Sequence, residues 1–263
     1  MAFLTFFNSP KSILFPDVTY SFYDVWAKLY RIPYEQPALN EQFRIQREDY
    51  YKENGGVIFP NPNAPTGICE NLEFIEDILQ HNTDVVVIVD EAYIDFGGTS
   101  ALALIDSYEN LLVVRTFSKS RSMAGLRIGY AIGNPELIQA LNNVKYSFNS
   151  YTMNRPSIEL GVESLKDEAY FQETVGKIVK TRAWFEEEMR KLGFEFPDSK
   201  ANFIFATHKN AAAEDIFKAA KEKNIYVRYF KQPRIDNYLR ITIGTDEEMQ
   251  QLLQFLKEYL KES

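Results

Sequence analysis

Four short segments of the sequence place polar side chains directly after, or within, apolar runs that are typical of β-strands. They are residues 60–67 (PNPNAPTG), 90–93 (DEAY), 118–127 (SKSRSMAGLR) and 239–244 (LRITIG). Open α/β sheets bind ligands in the crevice outside the carboxyl ends of their strands. These segments are therefore the first candidates for a functional site.

Asp90 and Lys119 have the clearest chemical potential in these segments. Asp90 follows the apolar residues 85–89 (VVVIV), and an acid at the end of a buried strand is costly unless a cation faces it. A helix cap or a solvated strand end is the alternative. Lys119 also ends an apolar strand, where a lysine can lose its proton and form an imine, whereas a surface lysine is only a solvated charge.

The other two segments have plausible structural explanations as well as functional ones. Three prolines and two asparagines in residues 60–67 are also typical of a rigid turn. Arg240 lies inside an apolar strand, and its planar guanidinium suits a carboxylate or a phosphate. The alternative for Arg240 is an ion pair within its own domain.

Apolar runs alternate with amphipathic stretches through the first half of the chain, a pattern that predicts an α/β fold with a mostly parallel sheet flanked by helices. We expect residues 1–150 to form this larger domain. Polar residues 147–154 (SFNSYTMN) suggest a boundary, and a long helical stretch follows from Pro156 to about Leu192. Residues 151–263 are expected to form a smaller C-terminal α+β domain that includes this connecting helical stretch.

Together the four segments resemble the fold type I pyridoxal-phosphate enzymes of the class I/II aminotransferase family. The shared order is an asparagine turn, Asp-x-x-Tyr, Ser-Lys with an arginine eight residues later, and an arginine in a C-terminal strand. The longer matching stretches are PDVTYSFY (16–23), PNPNAPTG (60–67), VDEAYIDF (89–96), RTFSKSRSMAGLRIGYAIG (115–133) and YLRITIGT (238–245). The resemblance covers essentially the whole chain and implies a PLP-binding large domain over residues 1–150.

The resemblance implies pyridoxal 5′-phosphate (PLP) as the cofactor and gives roles to individual residues. Lys119 would bond covalently to the cofactor and move the proton during the reaction. Asp90 would pair with the pyridinium nitrogen and keep it protonated. Tyr93 would donate a hydrogen bond to the phenolic oxygen, and Tyr20 would stack on the ring.

The 5′-phosphate and the phenolic oxygen would have further contacts. Ser118 and Arg127 would hold the phosphate through charge-assisted hydrogen bonds. Most relatives have an asparagine immediately before Pro-Thr-Gly, where this sequence has Ala64. We predict that Asn63 replaces that asparagine at the phenolic oxygen.

On the substrate side, the resemblance implies transamination of histidinol phosphate with 2-oxoglutarate and glutamate. Arg240, assisted by Arg228, would hold the phosphate of one substrate and the carboxylate of the other. Two alternatives stay open. One is a related fold type I enzyme, such as a threonine-phosphate decarboxylase or an aromatic aminotransferase, and the other is a PLP-binding protein with impaired catalysis.

Members of the family carry a further stretch before the position that matches Met1. In relatives it supplies a Gly-Ser-Asp/Glu turn around the cofactor phosphate, part of the small domain, and a tyrosine that reaches the partner subunit. The resemblance therefore implies a homodimer. We expect the 263-residue chain by itself to bind the cofactor weakly and to be a poor catalyst.

Composition excludes several other classes of protein. The 263 residues include 37 acidic and 29 basic ones, a net charge of −8, and no dense basic cluster suggests a nucleic-acid partner. Cys69 is the single cysteine, and with only His81 and His208 the sequence has no zinc spacing. We expect a cytoplasmic protein without a membrane span, whose apolar first residues (MAFLTFF) belong to a core.

Overall fold

The computed structural model describes residues 1–262, which contain two β-sheets and the helices that cover them. The helices are α1 (Ala2–Phe6), α2 (Phe22–Tyr30), α3 (Leu72–His81), α4 (Pro135–Phe148), α5 (Arg155–Lys166), α6 (Glu168–Lys191), α7 (Ala213–Glu222) and α8 (Asp246–Glu262). The strands are β1 (Ile13–Leu14), β2 (Tyr34–Glu35), β3 (Val57–Pro60), β4 (Val87–Asp90), β5 (Leu111–Thr116), β6 (Gly129–Gly133), β7 (Phe194–Glu195), β8 (Phe203–His208), β9 (Arg228–Tyr229) and β10 (Leu239–Thr242). Within residues 1–262, every helix is too short or too polar to cross a membrane.

The first sheet has the strand order β2-β1-β3-β4-β5-β6. Its pairs are parallel except for β5 with β6. Alternation along β4 sends Val87 and Val89 to the face covered by α3, while Ile88 packs on the face covered by α1, α2 and α4. Both faces are buried, which explains the near-continuous apolar runs and confirms the predicted mostly parallel α/β fold.

The first residues of the chain belong to this core, as the sequence predicts. Phe3 and Phe7 are buried and pack together with Tyr23 and Trp26 against one face of the sheet. The sequence pattern did not predict α2. It also did not predict β1 or β2, because each of these strands has only two residues.

The second sheet, β7-β8-β10-β9, is antiparallel and packs against α6, α7 and α8. The predicted helical stretch before it consists of two helices, because Asp167 ends α5 and caps α6 by accepting a hydrogen bond from the Tyr170 N–H. We propose that the division between the two parts of the chain falls near residue 150, between α4 and α5.

A buried arginine connects α6 to both sheets. The Arg182 Nη1 donates to the backbone oxygens of Phe96, in the loop after β4, and of Ala201, just before β8. The same guanidinium lies 3.9 Å from Glu186 on the next turn of α6. Since buried carbonyl and carboxylate groups are costly when unpaired, Arg182 fixes the loop after β4 relative to the second sheet.

We expect Arg182→Met to lower the free energy of unfolding by about 3 kcal/mol, because the variant keeps the bulk of the side chain but removes the hydrogen bonds to both carbonyls and leaves Glu186 with Arg190 alone as a cationic neighbour within residues 1–262. Urea unfolding followed by tryptophan fluorescence measures the change. The matched control is Lys177→Met on the same helix, where the lysine is exposed and pairs only with Glu173. Equal stability of the Arg182 and Lys177 variants would contradict the role given to Arg182.

Candidate functional site

The register of the parallel strands brings the predicted site residues to one edge of the first sheet. Asp90, the last residue of β4, lies between Pro60 of β3 and Val114 of β5. The loops that follow these strands enclose a cleft of about 300 Å³, a size found for small-molecule sites. The site thus lies outside the carboxyl ends of the strands, as expected for an open α/β sheet.

Six of the seven predicted cofactor-binding residues line this cleft: Tyr20, Asp90, Tyr93, Ser118, Lys119 and Arg127. They come from four separate parts of the chain, namely the start of α2, the loop after β4, the loop after β5 and the start of the β6 region. The fold therefore assembles residues that are more than a hundred positions apart in the sequence.

Asp90 is the acidic group in the cleft. Its Oδ2 accepts a hydrogen bond of 2.8 Å from the Tyr23 hydroxyl, and its Oδ1 accepts one of 3.1 Å from the Ala92 N–H. Burial raises the pKa of the Asp90 carboxyl, while these two hydrogen bonds and the nearby charge of Lys119 lower it. A cationic ligand beside Asp90 would stabilise the ionised form further.

Three cationic residues line the cleft, Arg115, Lys119 and Arg127. Arg115 pairs with Glu91, whereas neither Lys119 nor Arg127 forms an ion pair with any residue in the range 1–262. Lys119 Nζ lies 5.1 Å from the centre of the Tyr93 ring, within cation–π range. Arg127 Nη1 donates only to the Ala124 carbonyl oxygen, at 2.9 Å. Ser118 lies beside them, with its hydroxyl 3.0 Å from that of Thr116. These groups are available to an anion.

The two predicted tyrosines occupy different environments. Tyr93 is buried and packs edge-on against Phe203 of the second sheet, with ring centres 5.1 Å apart. Tyr20 is 42% exposed and stands edge-on to Tyr23 at 5.6 Å. Tyr20 also stacks on Phe22, with ring centres 5.9 Å apart. Its partly exposed ring lines the cleft, where aromatic rings can stack on planar ligands.

Asn63, predicted to contact the phenolic oxygen of the cofactor, is not among the residues that line the cleft. Its side-chain nitrogen donates to the Val18 carbonyl oxygen and to the Thr66 hydroxyl, and its side-chain oxygen accepts from Thr19. Both amide hydrogens are therefore used within the fold. Ala64 faces the cleft in its place, so the geometry gives no support to Asn63 as a cofactor contact.

Arg240 and Arg228 are register partners on the antiparallel strands β10 and β9. The Arg240 Nε is buried without a hydrogen-bond partner, and neither guanidinium has an acidic partner within the described residues 1–262. Burial lowers the pKa of Arg240, and the charge of Arg228 lowers it further, whereas Tyr93 raises it. Two neighbouring guanidinium groups without an acidic partner among residues 1–262, with Tyr93 close to that of Arg240, form a candidate anion site.

Sequence reasoning missed two groups near the site. Tyr23 lies in the TYSFY motif three residues after Tyr20, and this spacing at the start of a helix could have placed both rings on one face. Glu91 is buried and accepts hydrogen bonds from Ser100, the Ala101 N–H and Arg115. Its partner Arg115 follows an apolar run, but no local pattern links the two residues.

The amino-acid sequence matches the family described as aminotransferase class I and II over residues 1–256. The chain belongs to this family. It is 52% identical over 261 residues to the histidinol-phosphate aminotransferase of Lactococcus lactis subsp. cremoris (strain SK11), covering 99% of this chain and 73% of that protein.

Solved structures of similar proteins share the fold of this aminotransferase. The histidinol-phosphate aminotransferase from Clostridium acetobutylicum has a TM-score of 0.91 at 26% identity, covering 100% of this chain and 80% of that one. The histidinol-phosphate aminotransferase from Sinorhizobium meliloti, solved in complex with pyridoxal 5′-phosphate, has a TM-score of 0.84 at 22% identity. The structural match covers 95% of this chain and 70% of the Sinorhizobium meliloti chain. Because the identity to the Sinorhizobium meliloti protein is below 25%, this similarity shows a shared fold only.

The chain is a PLP-dependent aminotransferase, and the donor set in the cleft suits PLP. Lys119 offers an amine for the cofactor aldehyde, and Asp90 offers a carboxylate for a protonated ring nitrogen. Ser118 and Arg127 offer a hydroxyl and a guanidinium for a phosphate, and neither Lys119 nor Arg127 has an ion-pair partner among the described residues. The charges and the size of the cleft therefore fit this cofactor.

We expect Lys119→Ala to abolish the visible absorbance band that PLP shows when it is bound to a lysine, because the cleft then has no amine for the aldehyde. Spectra of the protein titrated with PLP test this. Lys166→Ala is the control, since Lys166 is exposed on α5 and pairs with Glu163. A band that survives in Lys119→Ala would disprove the assignment of the lysine.

Proposed function

We propose that this aminotransferase transfers the amino group of histidinol phosphate to 2-oxoglutarate in histidine biosynthesis, with glutamate as the other product. The observation that carries the proposal is the identity of 52% across nearly the whole chain to an enzyme named for that substrate. The unpaired Arg240 supports it, because one anion pocket must accept a phosphate in one half-reaction and a carboxylate in the other.

We assign the cofactor chemistry to Lys119 and Asp90. When bound, PLP supplies an aldehyde for covalent attachment and a ring that accepts electrons from the carbon next to the substrate amine. Asp90 holds the proton on the ring nitrogen and compensates its charge. The Lys119 amine would move the proton between the substrate carbon and the former aldehyde carbon of the cofactor.

The remaining residues of the cleft hold the cofactor. Arg127 and the Ser118 hydroxyl bind the 5′-phosphate, and Tyr20 covers one face of the ring. Tyr93 donates a hydrogen bond to the phenolic oxygen. Because Tyr93 also packs on Phe203 of the second sheet, the cofactor contact and the anion site around Arg240 share one rigid support.

Arg240 binds the anionic end of each substrate, with Arg228 beside it. A guanidinium donates hydrogen bonds to phosphate and carboxylate oxygens in the same forked geometry, so both substrates can use it in turn. The buried Nε of Arg240, which lacks a partner in the described residues, gains one when the anion binds. This additional hydrogen bond favours substrates that carry two negative charges over substrates whose side chain is neutral.

We expect Arg240→Gln to raise the KM for both histidinol phosphate and 2-oxoglutarate about tenfold or more, since each loses a charge-assisted hydrogen bond. Steady-state assays with each substrate varied in turn measure this, and Arg190→Gln, on the exposed end of α6, is the control. An unchanged KM for either substrate would contradict the shared anion site. Turnover of phenylalanine or threonine phosphate in preference to histidinol phosphate would contradict the substrate assignment.

We further propose that the enzyme acts as a cytoplasmic homodimer. A stretch from the end of α4 to the start of α6 exposes large apolar side chains, among them Tyr146, Phe148, Tyr151 and Leu160. Tyr151 is 95% exposed. Contiguous apolar surface of this kind is typical of an interface with another chain, and a second copy is the partner expected for an aminotransferase of this family.

Light scattering is expected to give twice the chain mass of 30.5 kDa at micromolar concentration. We expect Tyr151→Asp to shift the protein toward the monomer, because it places a charge in the apolar surface. Tyr226→Asp is the control, since Tyr226 is 74% exposed but lies beside β9, outside this stretch. A monomer mass for the unmodified protein would refute the dimer.

A further inference from the structure

We propose that Tyr23 is a positioning residue that holds the Asp90 carboxylate in place for the ring nitrogen of the cofactor. The inference rests on the role proposed above for Asp90 but is independent of the identity of the substrate. Tyr23 does not line the small cleft, but it lines an adjoining cavity of about 660 Å³ together with Asp90 and Arg127. Its hydroxyl reaches Asp90 from the side of α2, and we propose that it acts on the cofactor through this hydrogen bond.

The hydrogen bonds of Asp90 fix the orientation of the carboxylate. The Tyr23 hydroxyl donates to Oδ2 at 2.8 Å, and the Ala92 N–H donates to Oδ1 at 3.1 Å. Each oxygen accepts one bond from the protein and keeps capacity for another. One donor on each oxygen sets the plane of the group while leaving acceptor capacity toward the cleft.

Tyr23 is held rigidly enough to serve this purpose. The residue is 1% exposed, at the start of α2, and its ring contacts Phe3, Phe15, Tyr20 and Trp26 at centre distances of 5.6 to 6.4 Å. Burial and the charge of Asp90 raise the pKa of the Tyr23 hydroxyl well above its usual value, so the hydroxyl stays protonated and remains a donor.

The surroundings of Asp90 explain why this donor matters. Tyr20 and Tyr23 face it from α2, Glu91 follows it in the chain, and Lys119 approaches from the loop after β5. Burial and Glu91 raise the pKa of Asp90, whereas Tyr23, the Ala92 N–H and Lys119 lower it. Loss of the Tyr23 hydroxyl therefore raises the pKa of Asp90, and a protonated carboxyl no longer compensates a protonated ring nitrogen.

Tyr23→Phe tests the proposal because it keeps the ring and removes only the donor. The first sheet offers a matched control in Tyr50, which is 1% exposed and whose hydroxyl has no hydrogen-bond partner among residues 1–262. Tyr50→Phe removes an equally buried hydroxyl without touching Asp90. Both variants are expected to keep the fold, which circular dichroism and thermal unfolding of the apoprotein verify.

The first measurement is the affinity of the apoprotein for PLP across a range of pH. We expect Tyr23→Phe to weaken binding about tenfold near neutral pH, the effect of losing one hydrogen bond to a charged group. The acidic limb of binding should move to higher pH, because Asp90 becomes protonated earlier. Tyr50→Phe should match the unmodified protein, and equal effects of the two variants would overturn the inference.

A double-mutant cycle separates positioning from general packing. In an Asp90→Asn background, Tyr23→Phe is expected to have little further effect on PLP affinity, since the charge that it orients is gone. A full tenfold effect in that background would overturn the role of Tyr23. Unchanged affinity in Asp90→Asn alone would instead overturn the role of Asp90, and with it this inference.

A measurement without cofactor completes the test. Carbon-13 NMR of the Asp90 carboxyl in the apoprotein follows its titration directly, and Tyr23→Phe is expected to move the midpoint to higher pH. Identical titration in the variant and in the unmodified protein would show that Tyr23 does not hold the carboxylate. Failure of the enzyme to use histidinol phosphate would leave all of these readouts unaffected.

Discussion

A carboxylate at the edge of a buried parallel sheet is the feature on which the rest of the site depends. Asp90 ends β4 between two other central strands, so its ionised form loses much of its hydration. The Tyr23 hydroxyl, the Ala92 N–H and the charge of Lys119 offset part of this cost. In the proposed function, a protonated pyridine ring would supply the direct cationic partner that no residue in the range 1–262 provides.

The other charges near the edge of the sheet divide into two groups. Glu91 and Arg115 pair with each other and with Ser100, which makes them structural. Lys119 and Arg127, by contrast, have no acidic partner among residues 1–262. This separation leaves the Arg127 guanidinium available to a phosphate and the Lys119 amine available to an aldehyde, while the neighbouring Glu91 beside Asp90 is paired with Arg115.

The two sheets act together because one aromatic contact joins their sites. Tyr93 belongs to the loop after β4 and packs on Phe203 of β8, and the Arg240 guanidinium lies 5.2 Å from the same Phe203 ring. Arg182 fixes this loop to the chain before β8. The proposed substrate and cofactor contacts would thereby be held at a set spacing, which transfer of a proton between substrate and cofactor requires.

The sequence by itself determined the fold class, the family and the segments of the site. Apolar runs of strand length and the order of four polar motifs are local properties, so they can be read without a structure. They also identified six of the residues that line the cleft. Tertiary structure decided the rest, because hydrogen bonds between distant segments leave no local pattern. The Asn63 side-chain N–H groups donate to the Val18 carbonyl oxygen and to the Thr66 hydroxyl. The Tyr23 hydroxyl donates to Asp90, which lies 67 positions later in the sequence. Only the packed sheet and α2 bring these groups together.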